Sequence, residues 1–176
     1  MSNKNNFVYV AGPDVFYPDA AQRADKARDI ANTYGFTPLI PMDNDIDGNG
    51  KTPSQIQSEI YKKNKIMIDK AGIIIANITP FRGPSADSGT VWEIGCGVGQ
   101  GKPVFAFTDD MRDYKSRVKP DGMMIEDFGS VDNLMITCSV KSISPSIEEA
   151  FQRAALYVAE LENKQSNSIT NTPKPK

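Results

Sequence analysis

The sequence predicts a single doubly wound α/β domain with about five parallel strands and helices on both faces of the sheet. Two observations support this fold class. Short apolar, β-prone runs alternate with longer stretches of helical periodicity. One run, GIIIANI at 72–78, is almost entirely apolar, as expected for a central strand buried on both faces. Alternating strands and helices favour right-handed βαβ units, which align the strands in parallel.

Local patterns predict each element in order. FVYVA at 7–11 is a short apolar run that ends at a Gly-Pro turn, so it is predicted to be a buried strand. The first helical stretch ends at Gly35, a residue type that is common just after helices. Strands are predicted at 7–11, 36–40, 72–78 and 103–107, with a fifth within 134–143, and helices at 18–34, 54–70, 89–100 and 146–162.

The chain length also bounds the domain organisation. Its 176 residues fit one domain. Residues 109–129 are charged and irregular in pattern, which predicts an excursion between elements. From Lys164 onward the chain consists mainly of Asn, Ser, Thr, Pro and Lys. We therefore predict one domain at 1–163 and a disordered tail at 164–176.

Composition excludes several classes of function. The net charge is −2 and no basic run stands out, so a nucleic-acid partner is not expected. There is no histidine, which excludes a Ser-His-Asp triad and histidine metal sites. Neither a signal peptide nor a transmembrane segment is recognisable, so a cytoplasmic protein without a membrane partner is expected. Acid–base chemistry must therefore come mainly from carboxylates.

The predicted topology indicates where a ligand would bind. Doubly wound sheets bind ligands beyond the carboxyl ends of their strands. The loops at 12–17, 41–50 and 77–88 follow the first three predicted strands, and each carries polar residues beside glycine or proline. These three loops are the first candidates for a site.

The glycine-rich stretch SADSGTVWEIGCGVGQG contains a single glutamate, Glu93. Its later glycines lie inside the predicted helix, which fits neither a dinucleotide fingerprint nor a phosphate loop. We expect Gly95, Gly97 and Gly99 to let the helix pack closely on a neighbour. Asp87 or its neighbour Ser88 would cap the helix. Glu93 would then lie near the helix N-terminus as an ionised carboxylate of low pKa, either a nucleophile or an ordinary surface glutamate.

Four motifs in register resemble the nucleoside 2-deoxyribosyltransferase family. They are AGPDVF at 11–16, PMDN at 41–44, FRGPSADSGTVWEIG at 81–95 and NLM at 133–135. The most specific element is an aspartate six residues before a glutamate, in the pattern D-x-G-x-x-x-E-x-G. The resemblance implies a flavodoxin-like fold and an enzyme that moves a 2-deoxyribosyl group between nucleobases. Its substrates would be 2′-deoxynucleosides and free nucleobases, with no metal or organic cofactor.

The resemblance also implies residue roles. Glu93 matches the family's nucleophile, which would form a covalent deoxyribosyl-enzyme and retain the anomeric configuration, as retaining glycosidases do. Asp87 and Asn133 match the residues that hold the sugar 5′-hydroxyl, and Asn133 would serve a neighbouring subunit in a homo-oligomer, either a dimer or a hexamer. The remaining substrate-binding candidates are Gly12, Asp14, Phe16, Asn77 and Met135.

Some roles remain open at this stage. Phe16 could stack on the base or belong to the core. The leaving base needs a proton, and Asp14, Asp43 or water could supply it, whereas Asn77 could hydrogen-bond the base but not readily protonate it. Some family members carry an aspartate that contacts the base where this chain has Gly72.

Two other functions are compatible with the same residues. The first is hydrolysis of deoxynucleosides or their 5′-monophosphates, although the Asp87 carboxylate would repel a 5′-phosphate. The second is a non-catalytic nucleotide-binding module, in which replacing Glu93 by glutamine would leave function intact.

Overall fold

The computed structural model describes residues 6–170 as a five-stranded parallel sheet flanked by helices. The strand order is β2-β1-β3-β4-β5, which confirms the predicted doubly wound α/β fold. The strands are β1 (Phe7–Ala11), β2 (Thr37–Leu39), β3 (Ile73–Asn77), β4 (Val104–Phe107) and β5 (Ser142–Ser144). The helices are α1 (Ala20–Thr33), α2 (Pro53–Lys70), α3 (Ser88–Gly99), α4 (Tyr114–Arg117), α5 (Leu134–Thr137) and α6 (Ile147–Thr170).

Alternation along the strands divides the core into two apolar layers. On β1, Val8 packs in the layer formed with α1 and α6, whereas Tyr9 packs in the layer formed with α2 and α3. Successive side chains of a strand point to opposite faces. On β3, Ile74 and Ile75 follow the same rule, and all five residues of the strand are buried. The sheet therefore has an α1–α6 face and an α2–α3 face.

The helix that carries the candidate glutamate is positioned by one glycine. A Cβ atom at Gly97 would lie 2.1 Å from Cδ1 of the buried Ile74, so Gly97 lets α3 approach β3 this closely without displacing the Ile74 side chain. Nothing lies within 4 Å of a Cβ built at Gly95 or Gly99, and both face outward. The expected close packing is confirmed for Gly97 and is wrong for the other two within this chain.

The C-terminal helix is longer than predicted. The sequence places its end at Glu162 and a disordered tail from Lys164, but α6 continues to Thr170. Residues 164–170 contain no proline or glycine, so nothing in them stops a helix. Residues 171–176 lie outside the described part of the chain. No helix between residues 6 and 170 has the length and apolar character needed to cross a membrane.

Candidate active site

The central contact of the site joins a buried strand tyrosine to Glu93. Tyr9 is fully buried on the α2–α3 face, and its hydroxyl donates a hydrogen bond to Glu93 Oε1 at 2.5 Å. Glu93 lies in the middle of α3 and is partly exposed. A short hydrogen bond to a carboxylate is among the strong ones. It fixes one oxygen of Glu93 and leaves the other without a hydrogen-bond partner among the described residues.

Burial raises the pKa of Glu93 to about 7, although the hydrogen bond from Tyr9 lowers it and the nearby charge of Asp87 raises it further. The expectation of a low pKa was wrong. Ser88 is the first residue of α3, so Glu93 is in the second turn, where the helix dipole contributes little. Burial is the main cause of the raised pKa of Tyr9, and the charge of Glu93 raises that pKa further. The tyrosine therefore keeps its proton and remains a hydrogen-bond donor. Glu93 therefore exchanges its proton near neutral pH.

Asp87 caps the helix that carries Glu93. Its Oδ2 atom accepts hydrogen bonds from the backbone nitrogen of Thr90 at 3.0 Å and from the Thr90 hydroxyl at 3.3 Å. A Cβ atom at Gly89 would lie 3.0 Å from the same oxygen, so the glycine keeps space for the cap. Among the described residues, Oδ1 of Asp87 has no hydrogen-bond partner, so it is available to a ligand hydroxyl.

Other residues predicted for the site lie on the opposite face of the sheet. A cavity of about 430 Å³ opens beside the ends of β1, β3 and β4, on the α1–α6 face. Gly12, Asp14 and Asn77 line this cavity, but Asp87 and Glu93 do not. The structure therefore divides the predicted residues into a carboxylate group on one face and a cavity group on the other.

The cavity group is a connected hydrogen-bond network. Asn77 Nδ2 donates to Asp14 Oδ2 at 3.0 Å, and Arg23 forms an ion pair with Asp14 Oδ1 at 3.1 Å. A Cβ atom at Gly12 would lie 2.5 Å from Asp14 Oδ2 and 2.9 Å from Asn77 Cβ. Any larger residue at Gly12 would therefore break the contact between Asp14 and Asn77.

The two aspartates considered as proton donors both act as acceptors here. Asp14 accepts hydrogen bonds through both oxygens, from Arg23 and Asn77. Asp43 accepts one from Arg28. Both oxygens of Asp14 are therefore engaged, whereas Asp43 has a partner on only one oxygen among the described residues.

A stacked pair of one exposed and one half-buried aromatic ring lies between the loops that follow β1 and β3. Phe16 is 59% exposed and stacks on Phe81, with ring centroids 5.6 Å apart and planes 21° from parallel. The guanidinium of Arg82 lies over both rings, 5.4 Å from Phe16 and 4.8 Å from Phe81. The alternative that Phe16 is a core aromatic is therefore wrong. These rings form a surface on which a planar ligand can stack.

Asn133 makes its side-chain contacts with neighbours in its own segment. It is the N-cap of α5, where its Oδ1 accepts from the backbone nitrogen of Met135 at 2.9 Å. Its Nδ2 donates to Glu126 Oε1 at 2.7 Å. It makes no hydrogen bond to Asp87 or Glu93. Met135 is 72% exposed and takes no part in the core.

Sequence reasoning missed three residues of the site. Tyr9 lies in an apolar strand, and the signal in the sequence is that a tyrosine in such a strand must find a partner for its hydroxyl. Phe81 and Arg82 lie inside a quoted motif but received no role. Arg82 has a positive φ of 55°, unusual for a residue with a side chain. Among the side chains that the structure describes, no cluster of three or more Cys, Asp or Glu could hold a metal ion.

Comparison with known proteins places this arrangement in a family. Residues 8–135 match the family model described as nucleoside 2-deoxyribosyltransferase. A 2-desoxiribosyltransferase from Leishmania mexicana is similar in structure, with 30% identity and a TM-score of 0.70 over 85% of this chain and 97% of that one.

Two more distant relatives were also found. A 2-deoxyribosyltransferase from Bacillus psychrosaccharolyticus shares the fold, with 24% identity and a TM-score of 0.59 over 82% of this chain and 90% of that one. An uncharacterised protein of Schizosaccharomyces pombe is 27% identical over 191 aligned positions, which cover 90% of each chain.

Proposed function

The chain belongs to the nucleoside 2-deoxyribosyltransferase family, and from that premise we propose that it transfers a 2-deoxyribosyl group between nucleobases through Glu93. Members of this family are enzymes that act on deoxynucleosides and nucleobases. The observation that carries the proposal is the contact between the partly exposed Glu93 carboxylate and the buried hydroxyl of Tyr9. It holds the Glu93 carboxylate in a fixed position against the sheet.

The reaction proceeds by two displacements. The free oxygen of Glu93 attacks the anomeric carbon, the glycosidic bond breaks, and the base leaves with the bonding electrons and takes up a proton. A ring nitrogen of the incoming base then attacks the same carbon, releases the carboxylate and loses its proton. Two inversions retain the anomeric configuration. A 2-deoxy sugar favours this route because no electron-withdrawing 2-hydroxyl opposes the oxocarbenium-like transition states.

The environment of Glu93 suits both steps. With a pKa of about 7, a large share of Glu93 is ionised at neutral pH and can attack. Partial burial makes its carboxylate poorly solvated, so less hydration must be removed before bond formation. The Tyr9 hydroxyl can stabilise the carboxylate when it is released in the second step.

The sugar 5′-hydroxyl would be held by Asp87 and by an asparagine. The Oδ1 atom of Asp87 is the acceptor, since its other oxygen caps α3. Asn133 hydrogen-bonds to Glu126 and Met135 within its own segment, so its role in a neighbouring subunit of a homo-oligomer rests on its match to the family motif. The negative charge of Asp87 disfavours a 5′-phosphorylated substrate.

The base would lie toward the loops after β1 and β3. Phe16 offers an exposed ring for stacking, and Gly12 leaves room for the hydrogen bond between Asp14 and Asn77. Because both oxygens of Asp14 accept hydrogen bonds, from Arg23 and Asn77, we assign delivery of the proton to the leaving base to water or to Asp43. A nucleoside bound in this way spans the carboxyl edge of β1.

The test is mass spectrometry of the intact protein after brief incubation with deoxyinosine, with and without adenine. Transfer predicts a mass gain of one deoxyribosyl group on Glu93, which disappears when adenine is added as β-deoxyadenosine forms. Glu93→Gln, which keeps the size of the side chain, should give neither adduct nor product.

Other outcomes would replace the proposal. Free deoxyribose in place of deoxyadenosine would identify a hydrolase. Binding without an adduct or turnover, unchanged in Glu93→Gln, would indicate a non-catalytic nucleoside-binding protein.

A further inference from the structure

A buried aspartate joins the two segments that carry Asp87 and Asn133. Asp132 is 1% exposed, and its carboxylate accepts hydrogen bonds from the Ser85 hydroxyl, from the backbone nitrogen of Ala86 at 3.0 Å and from that of Asn133 at 2.7 Å. Within the described residues, no cationic side chain lies within ion-pair distance of it. A buried carboxylate held only by neutral donors depends on all of them, because losing one leaves charge uncompensated.

These donors stand directly beside the residues proposed to bind the sugar. Ala86 precedes Asp87, the N-cap of α3. Asn133 is the N-cap of α5. The distance in sequence between Asp132 and Ala86 is 46 residues, so the carboxylate is a long-range link and not a local turn.

A second buried side chain, that of Arg117, links the same two segments. The side chain of Arg117 is only 5% exposed. It donates to the carbonyl of Pro84 at 3.0 Å and also to the carbonyl of Val131. Arg117 therefore ties the outer ends of the same two segments together, whereas Asp132 ties the ends nearest Asp87 and Asn133.

We propose that Asp132 is a positioning residue that sets the Asp87 carboxylate for the 5′-hydroxyl of the substrate. This inference rests on the proposed function. Asp132 holds Ala86, and through it fixes the backbone from which Asp87 both caps α3 and presents its free Oδ1 atom. A shift of that backbone would weaken contact with the 5′-hydroxyl and leave the contact between Tyr9 and Glu93 in place.

The test compares two substrates in wild type and Asp132→Asn. Deoxyinosine carries the 5′-hydroxyl, and 2′,5′-dideoxyinosine lacks it. For deoxyinosine, kcat/KM should fall by about 10- to 100-fold in the variant, the range expected when a hydrogen bond to a charged group is lost. For 2′,5′-dideoxyinosine, the variant and wild type should agree within about threefold, because the affected contact is absent from both.

Two further variants keep the test decisive. Asp127→Asn alters an exposed aspartate of the 109–129 excursion whose one ion pair among the described residues is with Lys115, and both substrates should be unaffected. Ser85→Ala removes one donor but keeps the buried carboxylate, so it should show a smaller loss confined to deoxyinosine. If Asp132→Asn does not fold, Ser85→Ala decides by the same comparison.

Equal losses on both substrates, or no loss on either, would overturn the positioning role. Failure of the proposed function is distinguishable, because wild type itself would then release free deoxyribose in place of the new nucleoside or turn over neither substrate.

Discussion

Replacing Tyr9 by phenylalanine removes the hydroxyl that donates to Glu93 and leaves the buried ring in place. That hydrogen bond lowers the pKa of Glu93, so its loss must raise the pKa above the present value of about 7. A hydrogen bond to a charged group contributes roughly 1.5–3 kcal/mol, which corresponds to about one to two pH units. The variant carboxyl group should then titrate at roughly pH 8–9.

The assay is the pH dependence of kcat/KM for transfer from deoxyinosine to adenine. Because Glu93 attacks in its ionised form, wild-type activity should rise through the pKa near 7. In Tyr9→Phe the rise should move upward by about one to two pH units. At neutral pH the ionised share falls from about half to roughly 1–10%, so activity should drop about 5- to 50-fold and largely recover above pH 9.

The control is Tyr157→Phe, which alters a tyrosine of α6 that packs on Phe105 on the opposite face of the sheet. Its profile should match wild type. An equal loss at every pH in Tyr9→Phe, with the midpoint unchanged, would refute the reasoning. It would mean that the hydroxyl acts on the transition state alone and does not tune the carboxyl group of Glu93.

Two further predictions concern stability, measured as the free energy of unfolding in urea. The pKa of Glu93 is raised from 4.5 to about 7, so the folded state binds more protons in that window and stability falls as pH rises through it. The free energy of unfolding of Glu93→Gln should therefore match that of wild type near pH 4.5 and exceed it at pH 8 by up to about 3 kcal/mol. The same difference in stability at both pH values would contradict this prediction. Gly97→Ala should lower the stability by about 1–3 kcal/mol because its Cβ meets Ile74, whereas Gly95→Ala should stabilise α3 by up to about 1 kcal/mol. Similar effects of the two substitutions would show that α3 does not need glycine at position 97 to pack on β3.

Much of the fold could be predicted from local patterns. The run at 72–78 identified the central strand because a strand covered on both faces must be apolar at every position. Proline and glycine marked the turns, so the strands and long helices were predicted within a few residues. The end of α6 was missed because polar composition was given more weight than the absence of a helix-breaking residue before Pro173.

The sequence by itself determined which side chains are available for chemistry. Without histidine, and with Glu93 in a motif that resembles a known family, a carboxylate nucleophile was the natural candidate. The N-cap role considered for Asp87 also followed from local sequence, because capping acts over three residues.

Only the tertiary structure decided how those side chains are tuned. Tyr9 and Glu93 are 84 residues apart, and their contact exists because strand alternation and close packing at Gly97 bring β1 and α3 together. Burial is a property of the folded protein and cannot be read from local sequence. Its effect on the pKa of Glu93 outweighed the lowering expected from the helix N-terminus. For the same reason, the link from Asp132 to the segment before α3 could not be read from spacing along the chain.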